Sequence, residues 1–181
     1  MNIRIVFFCT VLLCQLNLSV GAQDSWKLDS STVIFHISNA GLDVEGSIQG
    51  VTADIKFDKN KLSRSQIQAS AKSETIQTGL KLRDKHLKKA DYFDVEKHPT
   101  IKISSTGFKK SKNGFLAQSS VTIKGQTKLI NIPFSFAQTA NKAVFKGTFS
   151  LNRLDFGIGE TSLVLSDTVE VEFVIFASSI K

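Results

Sequence analysis

The sequence predicts an all-β fold with one short helical insertion, arranged either as an antiparallel sandwich or as a closed barrel. Three observations lead to this prediction. Apolar and polar residues alternate along most of the chain, which is typical of strands that bury one face. Tight-turn sequences separate the alternating runs. One stretch, residues 78–90, carries its apolar residues at helical spacing instead.

The alternating runs define the strands in chain order. Each run places mainly Phe, Ile, Val, Leu or Ala at every second position, so that these side chains share one face of a strand. The runs occupy residues 33–37, 51–57, 67–71, 101–103, 117–123, 130–136, 145–151 and 169–175. Turn signals lie at residues 58–60, 112–114, 124–126 and 140–142. Alternation leaves open whether the interior of such a fold is filled by side chains or holds a slender ligand.

The helical stretch at residues 78–90 contains good helix formers and no β-branched residue after Thr78. Thr78 stands where it could cap the first turn. Three- and four-residue spacings relate Leu80, Arg83, Asp84 and Leu87. The residues that follow, 91–94, place two aromatic rings between carboxylates and favour a tight turn whose rings enter the core.

The first 22 residues have the features of a cleavable export signal. Arg4 precedes an apolar run at residues 5–14, and the segment ends in small residues up to Ala22. Cleavage there leaves one domain, residues 23–181, with 22 basic and 16 acidic residues and a net charge of +6. It also removes both cysteines, which excludes a disulfide scaffold, a thiol oxidoreductase and a Cys-ligated zinc module. We expect a periplasmic or secreted protein.

A polar cluster around the helix is a candidate for metal-dependent hydrolysis. Asp84, His86 and Asp91 could hold a metal ion with one position open to water. Asp84 and His86 are two residues apart, however, and so would point to different faces of a helix. The interpretation that Arg83 and Asp84 anchor the helix through hydrogen bonds is favoured. We therefore expect no enzyme activity and no catalytic or metal-binding residues, and keep the hydrolase as the alternative.

Basic residues are concentrated in two places. One group lies on the helical stretch and the other beside a turn: Lys81, Arg83, Lys85, Lys88 and Lys89, then Lys109, Lys110 and Lys112. The aromatic residues fall on the inward faces and do not alternate with lysines, which argues against nucleic-acid binding. Attraction to an anionic membrane surface is the expectation from charge. An exposed edge strand would also allow a homodimer.

Several segments resemble, in order, the YceI family of bacterial exported proteins. The most distinctive is an Arg-Asp-x-His-Leu run followed by an Asp-x-Phe-Asp stretch and a proline. The matching segments are Trp26-Lys27-Leu28-Asp29 with Val33-Ile34-Phe35, Arg83-Asp84-Lys85-His86-Leu87, Asp91-Tyr92-Phe93-Asp94 with Pro99, Val121-Thr122-Ile123-Lys124-Gly125, Asn152-Arg153-Leu154-Asp155-Phe156-Gly157, and Asp167-Thr168-Val169. Together they cover nearly the whole chain after residue 22.

The resemblance implies an extended, lipocalin-like antiparallel β-barrel with an elongated apolar cavity. It implies binding and carriage of a polyisoprenoid, an isoprenoid quinone or another long-chain amphiphile, with no cofactor besides that ligand. Alternation and motif position place these residues on the expected cavity wall: Phe35, Ile37, Leu80, Leu87, Phe93, Phe134, Phe136 and Phe149. Expected polar anchors or head-group contacts are Arg83, Asp84, His86, Arg153 and Asp155. A filled barrel, as in a structural or stress-related domain without ligand, stays the alternative.

Overall fold

A computed structural model describes residues 25–180, so the expected export signal and its two cysteines lie outside the described residues. The described chain forms β1 (Ser25–Asn39), β2 (Leu42–Ser47), β3 (Thr52–Lys56), β4 (Gln66–Lys72), α1 (Lys81–Leu87), β5 (Thr100–Ser111), β6 (Gly114–Ile123), β7 (Gln126–Thr139), β8 (Lys142–Asn152) and β9 (Thr168–Ile180). Short 3-10 turns lie at Leu62–Arg64, Ser73–Thr75 and Arg153–Phe156. The helix α1 belongs to the long connection between β4 and β5.

The strands form one antiparallel sheet that closes on itself. The order is β1-β3-β4-β5-β6-β7-β8-β9, and β9 pairs again with β1. One edge of β1 pairs with β9. The other edge pairs with β3 near the start of β1 and with β2 near the end of β1. The two short strands therefore share one place in a ring of eight positions. The predicted all-β barrel with a short helix is confirmed, and the sandwich alternative is not what forms.

The short strand β2 is the element that alternation did not predict. Its inward positions include Gly46, and its outward positions include Asp43 and Glu45. Glycine and acidic residues are poor strand formers, so the local pattern is weak. Pairing with the end of β1 is what holds this segment extended.

The helix is shorter than the sequence predicts, and Thr78 does not cap it. Residue Leu80 occupies the N-cap position in an extended conformation and makes no side-chain capping bond. Gly79 adopts φ +78°, which takes the chain out of the helical path between Thr78 and α1. The backbone N–H and hydroxyl of Thr78 instead donate to Asp84 Oδ1 at 2.7 and 2.6 Å.

One end of the barrel is filled by aromatic side chains. We call this group the aromatic plug: Trp26, Phe57, Phe108, Phe115, Phe134, Phe136 and Phe145. Phe57 lies at its centre, 0 % exposed, with edge-on contacts to five other rings at centroid distances of 5.0 to 5.7 Å. Trp26 Nε1 donates to the Phe57 carbonyl at 3.0 Å. The plug therefore closes this end to solvent.

An ion pair lies on the outer face of the β1–β2 hairpin. His36 Nδ1 is 3.1 Å from Asp43 Oδ2. The hydrogen bond to Asp43 raises the pKa of His36 above its ordinary value of 6.5, against a smaller opposing effect of partial burial. The negative charges of Asp43, Glu45 and Glu172 add to the increase.

This pair predicts a pH-dependent contribution to stability. Because the folded pKa lies above the unfolded one, the contribution is complete below the unfolded pKa and is lost as pH rises through the folded pKa. We expect His36→Gln to lower the free energy of unfolding by about 0.2–1 kcal/mol near pH 5.5 and by much less near pH 8.5. Urea unfolding at both pH values measures this, with Asp43→Asn as the matched variant. Equal destabilisation at the two pH values would contradict it.

Candidate functional site

Beyond the aromatic plug the barrel is hollow. The cavity has a volume of about 380 Å³, which lies within the range of about 300–1,000 Å³ found for small-molecule pockets. All nine strands contribute to its lining. From the eight predicted runs, in order, examples are Val33, Ile55, Ile67, Ile103, Val121, Ile132, Phe149 and Val171. Most of the inward positions that alternation predicted therefore lie on the wall.

The burial of these inward side chains changes along the barrel. Near the plug they are buried, as with Ile55 and Phe145. Nearer the other end Phe35, Ile37 and Phe173 also point into the barrel, yet they are only partly buried. Side chains that face inward but keep accessible surface border an open space, so the barrel is not filled by its own side chains.

Two glycines explain how large inward rings leave this space free. In the pair Phe35↔Gly46, a Cβ added to the glycine would lie 2.1 Å from Phe35 Cζ. In the pair Gly147↔Phe173, it would lie 2.7 Å from Phe173 Cζ. Each ring therefore lies over the backbone of the neighbouring strand, in the room that a missing side chain provides. The rings cover the wall and do not cross the lumen.

Helix α1 lies at the end of the barrel opposite the plug. It presents Arg83, His86 and Leu87 to the cavity, at the spacing of one helical face. The ring of His86 packs edge-on against Tyr92 at 4.8 Å. Because His86 both lines the cavity and is exposed, the cavity opens to solvent beside it. We call this opening the mouth.

Hydrogen bonds fix Arg83 and Asp84 to the turn that precedes the helix. Arg83 Nε donates to Thr78 Oγ1 at 2.6 Å, and its Nη2 donates to the Thr78 carbonyl at 2.8 Å. Asp84 accepts two bonds from the same residue. Arg83 reaches the cavity lining while it is held in this way, whereas Asp84 does not line the cavity.

Arg153 connects the cavity to the segment between β8 and β9. Its side chain is 2 % exposed and lines the cavity. Its Nε donates to the Ser166 carbonyl at 2.9 Å, and its Nη1 donates to the Ile158 carbonyl at 2.9 Å. Its Nη2 donates to Asp167 Oδ1 at 2.8 Å and to the Leu165 carbonyl at 3.4 Å. These bonds hold the segment against the end of the barrel.

The structure brings most of the predicted wall residues to one cavity. The lining contains Phe35, Ile37, Leu87, Phe93, Phe134 and Phe149. Leu80 is outside it, 59 % exposed, because it lies in the extended turn before α1. Phe136 is also outside it, because its ring packs in the plug 5.0 Å from Phe57.

The predicted polar residues divide in the same way. Arg83, His86 and Arg153 line the cavity, whereas Asp84 and Asp155 do not. Asp155 is exposed on the 3-10 turn that follows β8.

Small inward residues were not singled out as site residues, although the structure places them on the wall. They are Ala53, Ala69, Ala71 and Ala117. Their positions in the alternating runs were visible in the sequence. An alanine among larger inward residues marks a place where the wall leaves room, which is the signal that could have identified them.

The residues proposed for metal-dependent hydrolysis do not converge. Asp84 is hydrogen-bonded to Thr78, and His86 packs against Tyr92. Within residues 25–180, no group of three or more His, Cys, Asp or Glu side chains is placed to hold a metal ion. In the same part of the chain, no helix combines the length and the apolar character needed to cross a bilayer.

Comparison with known sequences places these features in one family. The sequence profile of the YceI-like domain family matches residues 26–177. A UPF0312 protein of Pseudomonas savastanoi is 32% identical over 151 residues, which cover 77% of this chain and 79% of that protein. A UPF0312 protein of Azotobacter vinelandii is 30% identical over 134 residues, 70% of each chain.

Solved structures share the fold at low sequence identity. BcnA of Burkholderia cenocepacia aligns with a TM-score of 0.78 and 22% identity, covering 82% of this chain and 96% of that one. A domain of Saccharophagus degradans described as polyisoprenoid-binding aligns with a TM-score of 0.67 and 12% identity, covering 87% of this chain and 99% of that one. At these identities the likeness concerns the barrel architecture alone.

Proposed function

The chain belongs to the YceI-like domain family, and from this premise we propose that it binds a polyisoprenoid or a similar long-chain amphiphile in its barrel cavity. The observation that carries the proposal is the hollow apolar lumen of about 380 Å³, closed by aromatic rings at one end and open beside His86 at the other. The structural neighbour described as a polyisoprenoid-binding domain supports the same ligand class.

A long hydrocarbon tail can supply the binding free energy in such a lumen. Each buried methylene contributes about 0.8 kcal/mol, so a five-carbon isoprene unit contributes roughly 3–4 kcal/mol. Three units contribute roughly 9–12 kcal/mol, which is comparable to an association cost of about 4–15 kcal/mol. In this proposal the tail points toward the plug, and the polar head lies at the mouth near Arg83 and His86. Selectivity then depends mainly on the length and width of the cavity.

We propose a binding role and not a catalytic one. The lining is mainly aliphatic and aromatic, and the two arginines that reach it are engaged in structural contacts: Arg83 with Thr78, and Arg153 with the segment before β9. A carrier of this kind is useful where a water-insoluble hydrocarbon chain must pass through an aqueous compartment. This use is consistent with a periplasmic or secreted protein. The features of residues 1–22 support that location.

Native mass spectrometry of protein purified from its own host tests the proposal. We expect an adduct with the mass of a long-chain lipid that organic extraction removes. The extracted protein should then take up geranylgeraniol, an isoprenoid alcohol, as a stoichiometric adduct. Failure to detect an adduct in either experiment would contradict the proposal.

A variant that fills the cavity gives a sharper prediction. Ala69 lies on the wall, and Gln68 is its exposed neighbour on the outer face of β4. We expect Ala69→Phe to weaken geranylgeraniol binding by at least about tenfold, because its ring takes the space of the tail, while crowding lowers the free energy of unfolding by about 1–3 kcal/mol. The measurement is the geranylgeraniol titration by native mass spectrometry.

The matched control is Gln68→Phe, which adds the same ring outside the cavity. Its affinity for geranylgeraniol should equal that of the unmodified protein. If both variants bind alike, the lumen is not the binding site. Circular dichroism shows whether each variant is folded.

A further inference from the structure

The outer side of α1 combines exposed leucines with unpaired lysines. Leu82 is 86 % exposed and Leu80 is 59 % exposed. We define the docking face by these two leucines and the exposed lysines beside them: Lys81, Lys85, Lys88 and Lys89. Within residues 25–180, none of these lysines takes part in an ion pair.

We propose that this docking face binds the surface of an anionic lipid bilayer and so brings the mouth of the cavity to the membrane. The inference rests on the proposed lipid-binding function and names the partner from which the ligand is taken or to which it is delivered. Charge complementarity identifies the partner, because clustered lysines attract anionic head groups. Aliphatic side chains next to those lysines enter the boundary between head groups and acyl chains.

The position of α1 explains why docking there is productive. The same helix presents Arg83, His86 and Leu87 to the cavity, so its outer side flanks the mouth. Its one acidic residue, Asp84, is engaged with Thr78. An amphiphile that leaves the bilayer beside α1 therefore has a short path to an apolar lumen.

A second basic cluster provides an internal comparison. Lys109, Lys110 and Lys112 lie at the β5–β6 turn, at the plug end of the barrel. That end is closed by Phe57 and its neighbours, so docking there would not bring a mouth to the membrane. The two clusters have similar charge and differ in the exposed leucines and in the distance to the mouth.

Vesicle binding of matched variants tests the proposal. The protein is expressed with residues 1–22 in place, and its mass shows whether they have been removed. Binding is measured by sedimentation with anionic vesicles made of phosphatidylcholine and phosphatidylglycerol. Three charges are removed at the docking face or at the plug end in two triple variants: K81Q/K85Q/K89Q and K109Q/K110Q/K112Q. Each lysine near an anionic surface changes partitioning by roughly fivefold, so we expect a loss of roughly a hundredfold for the first variant. The second variant should lose much less.

A tryptophan reporter locates the contact. The emission of Leu82→Trp should shift to the blue when vesicles are added, because the new side chain enters the membrane interface. Trp26 is buried, so its own emission should not change when vesicles are added. Equal losses in the two triple variants, binding without the shift, or no binding by the unmodified protein would overturn the proposal. Binding to vesicles of phosphatidylcholine alone that equals or exceeds binding to the anionic vesicles would also overturn it.

The failure of this inference can be separated from failure of the proposed function. The docking-face lysines do not line the cavity, so K81Q/K85Q/K89Q should take up geranylgeraniol from solution as the unmodified protein does. Uptake from solution without vesicle binding leaves the ligand function standing and rejects docking. If the unmodified protein takes up no geranylgeraniol from solution, the proposed ligand function itself is rejected.

Discussion

Replacing Phe57 by alanine is expected to lower the free energy of unfolding by about 3–5 kcal/mol. The side chain is 0 % exposed and makes edge-on contacts with five other phenylalanine rings. Removing it deletes the centre of the plug and leaves a cavity that the closed ring of strands cannot collapse to fill. Domains are usually stable by only about 5–15 kcal/mol, so this loss is a large fraction of the total.

Urea unfolding followed by Trp26 fluorescence measures this effect. Trp26 is the single tryptophan, is buried, and donates its hydrogen bond to the Phe57 carbonyl, so its emission reports on the plug. Phe176→Ala is the matched control, because Phe176 is 47 % exposed on the outer face of β9. The control should change the free energy of unfolding by no more than about 0.5 kcal/mol. Similar losses in the two variants would show that the plug is not a principal source of stability.

The plug also sets the floor of the cavity. Phe134 and Phe145 belong to the plug and to the cavity lining at once. A Phe57→Leu variant keeps most of the volume and should be less destabilised than the alanine variant. Stability and cavity depth are therefore properties of the same group of side chains.

Replacing Arg153 by methionine is expected to lower the free energy of unfolding by about 3 kcal/mol. Methionine can occupy the buried space but cannot donate hydrogen bonds. The carbonyls of Ile158 and Ser166 then lose a charged donor, and Asp167 loses its ion-pair partner. Asp167 is partly exposed and can be hydrated, so the loss is smaller than for a fully buried ion pair.

Hydrogen exchange shows where this stability is lost. Residues 158–167 should exchange faster in Arg153→Met, because the guanidinium group holds this segment against the barrel. Arg153→Lys retains the charge but not the branched donor geometry, and its stability should be intermediate. Lys112→Met, at an exposed position, is the control and should be near neutral. Unchanged exchange in residues 158–167 would contradict this role of Arg153.

Much of the candidate site could be predicted from alternation. Phe35 and Ile37, for example, were assigned to the inward face from period-two spacing, and they line the cavity. Leu80 and Phe136 show the limits of this reasoning. Leu80 has the right spacing for a helical face, but the chain is extended at Leu80. Phe136 has the right strand face, but its ring is part of the aromatic plug and does not line the cavity.

The sequence predicted that Arg153 is a polar anchor, but it did not predict which groups Arg153 contacts. A motif containing Arg153 and Asp155 indicated a polar anchor, but the ion-pair partner is Asp167 and Asp155 is exposed. The partner carbonyls belong to a segment whose path depends on how it folds over the end of the barrel. No local pattern encodes that path.

The sequence by itself determined eight of the nine described strands and which face of each points inward, because alternation is a local consequence of the pleat. Only the tertiary structure decided that the sheet closes into a barrel and that the barrel is hollow. Whether inward side chains meet depends on the radius of the ring and on the residue opposite each one across the sheet. Phe35 and Phe173 leave the lumen open because Gly46 and Gly147 lie beside them on neighbouring strands, and those neighbours exist only once the strands pair.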